Sequence, residues 1–142
     1  MQIIYNNLKA AGILLVVCII SIPLYVFVYS MAEKSSLTLA CIIIILYTVA
    51  NILIYFFSGR KFINIMGMNL ISKFLSSIIV IFLLMFSVFF RIKSSFPYLL
   101  LPFVPALILL KNALGISEIV LKITFISITY LSIMSGILTN KH

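Results

Sequence analysis

Acidic residues are almost absent from this chain of 142 residues, which has only Glu33 and Glu118 against ten lysines and arginines. It has one histidine, His142, at the end of the sequence, and no tryptophan. Acid–base catalysis and metal binding draw mainly on Asp, Glu, His and Cys side chains. Because these residues are few and unclustered, we expect no catalytic residues, no metal site and no cofactor. The chain is predicted not to be an enzyme.

Cysteine is also scarce, and the two cysteines, Cys18 and Cys41, both lie within apolar runs. A free Cys packs as a small apolar group, and we expect that role for both. A disulfide would need their two helices to be adjacent and at the same level, which the sequence leaves open.

Charged residues of either sign make up 8% of the chain, whereas 65% of the residues are hydrophobic. A soluble domain carries roughly 25% charged residues. The composition therefore predicts an integral membrane protein with the lipid bilayer around it. The net charge of +8 does not indicate nucleic acid, because the cations stand singly or in pairs between apolar runs, where they anchor helices at the membrane surface.

The charged residues divide the chain into five runs of 17 to 25 uncharged residues. A membrane-spanning helix needs about 20 apolar residues. We therefore predict an all-α, polytopic membrane helix bundle with four or five transmembrane helices, forming one integral membrane domain over residues 1–142. The predicted helices cover residues 10–32, 36–58, 70–90, 97–114 and 118–139.

The fourth run decides between four and five crossings. Pro102 and Pro105 each remove an intrahelical hydrogen bond, so this helix is either a kinked span or a re-entrant segment. In both cases it should be packed inside the bundle, where neighbouring groups satisfy the freed carbonyls. With a cytoplasmic N-terminus, five crossings place six Lys and Arg residues inside and four outside, and four crossings divide them equally. The positive-inside tendency favours five.

Polar residues form stripes on two of the predicted helices. The residues that share a face are Thr48, Asn51, Tyr55 and Ser58 on the second helix, and Glu118, Lys122, Thr129, Ser132 and Gly136 on the last. Such stripes serve helix packing, or they line a groove or meet a partner protein. Asn51 lies deep in a span, so we predict that it is hydrogen-bonded inside the bundle. Glu118 and Lys122 stand four residues apart and are expected to pair.

The order of several motifs resembles an internal stretch of the polysaccharide flippases, which move lipid-linked O-antigen units across the bacterial inner membrane. The motifs are Tyr55-Phe56-Phe57-Ser58-Gly59 at the end of one helix, a short link over residues 60–68, Asn69-Leu70-Ile71-Ser72-Lys73 at the start of the next helix, and Tyr98-Leu99-Leu100-Leu101-Pro102. The resemblance implies a multi-pass protein of the bacterial inner membrane, with a role in or beside the transport of lipid-linked oligosaccharide. It assigns no site residue.

Two other classes fit a basic, multi-pass chain without catalytic groups. One is an immunity or exclusion protein that blocks a pore-forming bacteriocin through helix–helix contact in the membrane. The other is an assembly subunit of a membrane complex, with another membrane protein or a second copy of itself as partner. A flippase-like part is expected to line a cationic, water-filled cavity, whereas an immunity protein is expected to be a closed bundle with its polar stripe facing a partner.

Overall fold

The computed structural model describes residues 1–65, 67–89 and 98–139, and within these residues every regular element is helical. The elements in chain order are α1 (Gln2–Glu33), α2 (Leu37–Phe62), α3 (Leu70–Leu75), α4 (Ile78–Phe89), a 3₁₀ helix (Tyr98–Phe103), α5 (Val104–Leu114) and α6 (Glu118–Leu138). Four stretches are long and apolar enough to cross a membrane: Gln2–Glu33, Leu37–Phe62, Leu70–Val88 and Glu118–Leu138. The all-α bundle is confirmed. The predicted helix boundaries at Phe90 and Pro97, and the terminal His142, lie outside the described residues.

α1 begins at Gln2, earlier than the predicted start at residue 10. Two asparagines in its first turns, Asn6 and Asn7, form hydrogen bonds to other parts of the bundle, and these bonds hold the early turns in place. Asn6 is fully buried, and its Nδ2 donates to the carbonyl oxygen of Asn64 at 2.6 Å and to Ser76 Oγ at 3.3 Å. Asn7 Oδ1 accepts a hydrogen bond from the amide of Ile79 at 3.0 Å. These contacts join the start of α1 to the chain that follows α2 and to the start of α4. We call this side of the bundle the Asn6 end.

The predicted helix over residues 70–90 corresponds to the apolar stretch Leu70–Val88, which has a short turn within it. α3 and α4 are separated by Ser76 and Ser77, both of which are fully buried. The Ser76 hydroxyl donates back to the carbonyl of Ser72 at 2.8 Å, and the Ser77 hydroxyl contacts Met134 Sδ on α6 at 2.9 Å. Serine side chains that hydrogen-bond to the backbone compete with the regular hydrogen bonds of a helix. The turn between α3 and α4 lies at these two buried serines.

The bundle is organised around α2 and α6, which pack along one another more extensively than any other pair. α1 packs against α2, and α4 packs against α1 and α6. The 3₁₀ helix contacts α1, α2, α4 and α6 and so lies among them. Its residues Leu100 and Phe103 are fully buried, which confirms that the proline-containing segment is packed inside the bundle.

Side-chain contacts show the direction of each helix. α1 leaves the Asn6 end, and α2 returns to it after the short turn at residues 34–36. α4 leaves the same end, whereas α5 arrives at the opposite end, where Asn112 and Ala113 lie beside Glu33 and Leu37. We call this side the Glu33 end. α6 follows α5 after a turn of three residues and finishes with Gly136 against Phe56 and Arg60, near the end of α2.

Four stretches could therefore cross a membrane, and residues 98–114 of the proline-containing segment are not among them. The 3₁₀ helix begins at mid-bundle, where the carbonyl of Leu99 contacts Cys18 in the middle of α1, and α5 continues from there to the Glu33 end. Of the two counts considered, the four long apolar stretches agree with four, and residues 1 and 139 both lie at the Asn6 end.

Candidate functional site

Asn51 lies at the centre of a buried polar cluster, and the prediction that it is hydrogen-bonded inside the bundle is confirmed. Its side chain is 2% exposed. Asn51 Oδ1 accepts from Ser21 Oγ at 3.2 Å, and Nδ2 donates to the carbonyl oxygens of Tyr47 at 2.9 Å and Pro102 at 3.4 Å. The amide thus connects α2 to α1 and to the 3₁₀ helix, and its polar atoms are satisfied by protein groups.

The two carbonyls that Cys18 and Asn51 contact each have a proline as their i+3 residue. In the i to i+3 pattern of a 3₁₀ helix, the carbonyl of Leu99 faces residue 102, and that of Pro102 faces residue 105. Both facing residues are prolines and have no N–H to donate. Cys18 Sγ instead lies 3.3 Å from the Leu99 oxygen, while Asn51 serves the Pro102 oxygen. Polar side chains of α1 and α2 therefore hold the 3₁₀ helix in the core.

Only two of the four residues in the predicted stripe on α2 are buried. Asn51 and Tyr55 are buried, whereas Thr48 and Ser58 are half-buried at the edge of the contact. Thr48 bonds to the carbonyl of Ile44 within its own helix at 2.8 Å. Tyr47 was not expected in this face, yet it is 8% exposed and its hydroxyl reaches the carbonyl of Ser21 at 3.4 Å. The spacing of Tyr47, Asn51 and Tyr55 by four residues is the sequence signal that would have identified it.

Tyr55 belongs to a row of aromatic rings at the turn between the 3₁₀ helix and α5. Tyr55 and Phe103 are both fully buried, with ring centroids 6.2 Å apart, and Phe103 stacks on Phe125 of α6 at 4.9 Å. Stacked aromatic pairs add stability beyond the area that they bury. This row fixes the start of α5 between α2 and α6.

The stripe on α6 faces the interior. Lys122, Thr129, Ser132 and Gly136 are all buried, and the hydroxyls of Thr129 and Ser132 bond to carbonyls of their own helix. These four residues therefore contribute to helix packing. In the part of the chain that the structure describes, they do not form a polar patch on the outer surface.

Gly136 and Gly59 allow α2 and α6 to approach closely. A Cβ on Gly59 would lie 2.5 Å from the carbonyl oxygen of Ile133, well inside van der Waals contact. A Cβ on Gly136 would lie 2.9 Å from the amide nitrogen of Arg60 and closer still to the carbonyl oxygen of Phe56. Small residues at such contacts let helix backbones meet in a membrane. The Tyr55-Phe56-Phe57-Ser58-Gly59 motif therefore has a packing role.

The expected pair between Glu118 and Lys122 is present, and a second lysine joins it. Glu118 Oε1 contacts Lys122 Nζ, while Oε2 lies 3.2 Å from Lys111 Nζ near the end of α5. The Lys122 side chain is only 10% exposed, whereas that of Lys111 is half exposed. The three residues link the end of α5 to the start of α6 at the Glu33 end.

A groove opens at the Glu33 end between α1, α2 and α5, and we call it the Glu33 groove. It has a volume of about 470 Å³ and is lined mainly by apolar side chains. The apolar lining includes Tyr29, Ala32, Ile44, Ile108, Leu109 and Ala113. Two polar residues also line it, Glu33 at the end of α1 and Asn112 in the last turn of α5. Sequence reasoning missed this site because its residues come from three helices that no motif connects.

Comparison with known proteins gives no relative: no family model, no curated protein sequence and no solved structure matches this chain.

Proposed function

We propose that this protein is a non-catalytic, multi-pass membrane protein that holds the apolar tail of a membrane lipid in the Glu33 groove. The observation that carries the proposal is the groove itself: an apolar cleft that is open to the surroundings and ends in charged and polar groups. An apolar cleft with few polar groups is typical of a small-molecule site, and about 470 Å³ lies within the range of such sites.

The dimensions suit one lipid tail better than a partner helix. The lining on α5 runs from Pro105 to Ala113, which at 1.5 Å per residue is about 12 Å. A transmembrane helix is 10–12 Å wide with its side chains and needs a longer surface to dock. One flexible chain fills a short, narrow cleft with less rearrangement.

This proposal connects with the resemblance to the flippases, since a lipid-linked oligosaccharide has an apolar tail that stays in the membrane while its polar part moves. On this view the chain presents or steadies the tail of a lipid-linked molecule. The immunity alternative gains no support from the stripes, because the polar side chains that would meet a bacteriocin lie inside the bundle.

We further propose that the protein resides in the bacterial inner membrane, which is the location that the resemblance to the flippases implies.

Lipid retention tests the proposal. The chain is purified in detergent, washed to remove loosely held lipid and examined by native mass spectrometry. Ala113→Phe places a ring in the groove, whereas Ala50→Phe adds the same ring to an exposed position of α2 outside the groove. We expect the wild type and Ala50→Phe to retain lipid and Ala113→Phe to lose most of it. Equal retention by all three proteins would refute the proposal.

A further inference from the structure

We propose that the Glu33 groove selects a phospholipid whose headgroup carries a primary ammonium, as phosphatidylethanolamine does. This inference rests on the proposed function and adds the identity of the headgroup. Its basis is the charge at the rim of the groove.

The apolar lining cannot by itself distinguish one lipid from another. The interior of the bilayer is as apolar as leucine side chains. A lipid tail that moves from the bilayer into the groove therefore gains little from the hydrophobic effect. Selection then falls to the polar groups at the rim, since they meet the headgroup. The lining offers two of them, the Glu33 carboxylate and the Asn112 amide.

The Glu33 carboxylate is exposed and forms no ion pair with the described residues. Both ion pairs found among the described residues use the other acid, Glu118. Lys111 is the one lysine of α5, and its ammonium is directed to Glu118 at 3.2 Å. The rim therefore keeps a negative group in position for a ligand.

The ends of two helices add to this negative potential. α1 ends at Glu33 and α5 ends at Leu114, so the carboxyl ends of both helices lie beside the groove. A helix carries a partial negative charge at its carboxyl end, which favours a nearby cation. An acid at that position is unfavourable unless it meets a positive charge. Glu33 therefore stands where a bound cation would relieve the repulsion.

A primary ammonium matches these groups better than the other common headgroups. It has three N–H donors, which suit the Glu33 carboxylate and the Asn112 side-chain oxygen. A quaternary ammonium has the charge but no N–H to donate, and an anionic headgroup brings a charge of the wrong sign.

The test compares three lipids with identical acyl chains, namely phosphatidylethanolamine, phosphatidylcholine and phosphatidylglycerol, added to the delipidated full chain and measured by native mass spectrometry. We expect phosphatidylethanolamine to bind roughly tenfold more tightly than the others, as a charge-assisted hydrogen bond implies. Glu33→Gln keeps the shape of the side chain and should abolish this preference. Lys61→Gln, which removes a charge at the Asn6 end, should keep it.

The outcomes separate this inference from the function on which it rests. If the wild type binds all three lipids equally, or if Glu33→Gln keeps the preference, the headgroup inference is wrong even where Ala113→Phe still reduces lipid retention. If Ala113→Phe has no effect on any lipid, the groove is not the site and both proposals fail.

Discussion

Asn51 Nδ2 on α2 donates to the carbonyl oxygen of Pro102, whose i+3 residue is Pro105 in the first turn of α5 and has no N–H to donate. One amide in the bundle interior thus ties α2 to the 3₁₀ helix. This relationship explains why a chain with two prolines three residues apart keeps that segment buried.

Replacing Asn51 tests the importance of this link. Asn51→Leu keeps the side-chain volume but removes the hydrogen bonds to Ser21 and Pro102. We expect the free energy of unfolding to fall by about 1–2 kcal/mol, the upper range for hydrogen bonds between helices in membranes. Thr48→Val is the control, because that hydroxyl bonds only within its own helix and lies at the edge of the contact. Thermal unfolding in detergent checks both, and an unchanged Asn51→Leu protein would contradict the account.

The close approach of α2 and α6 makes Gly136 intolerant of even a methyl group. Gly136→Ala brings a Cβ against the backbone of Phe56 and Arg60, so the helices must separate. We expect a loss of about 1–3 kcal/mol, as for overpacked cores, and a larger loss for Gly136→Leu. Gly12→Ala is the matched control, since a Cβ there meets no atom within 4 Å. The same unfolding assay should show Gly12→Ala at or above wild-type stability, and a loss shared by both variants would oppose this reading.

We expect Glu118 to contribute more to the stability of the protein than its half-exposed partner Lys111 does. Lys111→Gln removes a half-exposed partner, and surface pairs contribute about 0–1 kcal/mol. Glu118→Gln removes the carboxylate that two lysines share, one of them nearly buried, and we expect a loss of about 1–3 kcal/mol. Unfolding of the two variants side by side gives the ranking. A Lys111→Gln loss equal to that of Glu118→Gln would show that the contact with Lys122 contributes nothing.

The four crossings predict that both termini lie on the same side of the membrane. A reporter fused after the last residue should give the same side as a reporter fused before Met1. A reporter inserted in the turn at residues 34–36 should give the opposite side. Termini on opposite sides would restore the five-crossing arrangement.

The sequence allowed the membrane class, the burial of Asn51, the pairing of Glu118 with Lys122 and the place of the proline segment inside the bundle to be predicted. Each depends on a local or compositional rule, such as the length of apolar runs or a four-residue spacing. The number of crossings was not predictable in this way, because it depends on the level at which residues 98–103 enter the bundle, and contacts with Cys18 and Asn51 decide that level.

The buried faces were harder to predict than in a soluble protein. Most of the outer surface of this bundle is apolar, as Leu46 with 63% exposure illustrates, so apolar periodicity does not mark the interior. The burial of Tyr47 and Asn6 was not predicted for this reason. Among so many apolar residues a tyrosine gives no distinct signal, and an asparagine near the N-terminus is expected to be solvated. The Glu33 groove combines three helices, and only the assembled bundle brings its residues together.

The most direct test of the central claim is photocrosslinking from inside the groove. A photoreactive amino acid replaces Ile108, which lines the groove, or Leu46, which lies on the exposed surface of α2. The protein is washed in detergent to remove loosely held lipid, irradiated and analysed by mass spectrometry. The account predicts a lipid adduct at position 108 and little or none at position 46. No adduct at position 108, or equal adducts at both positions, would contradict it.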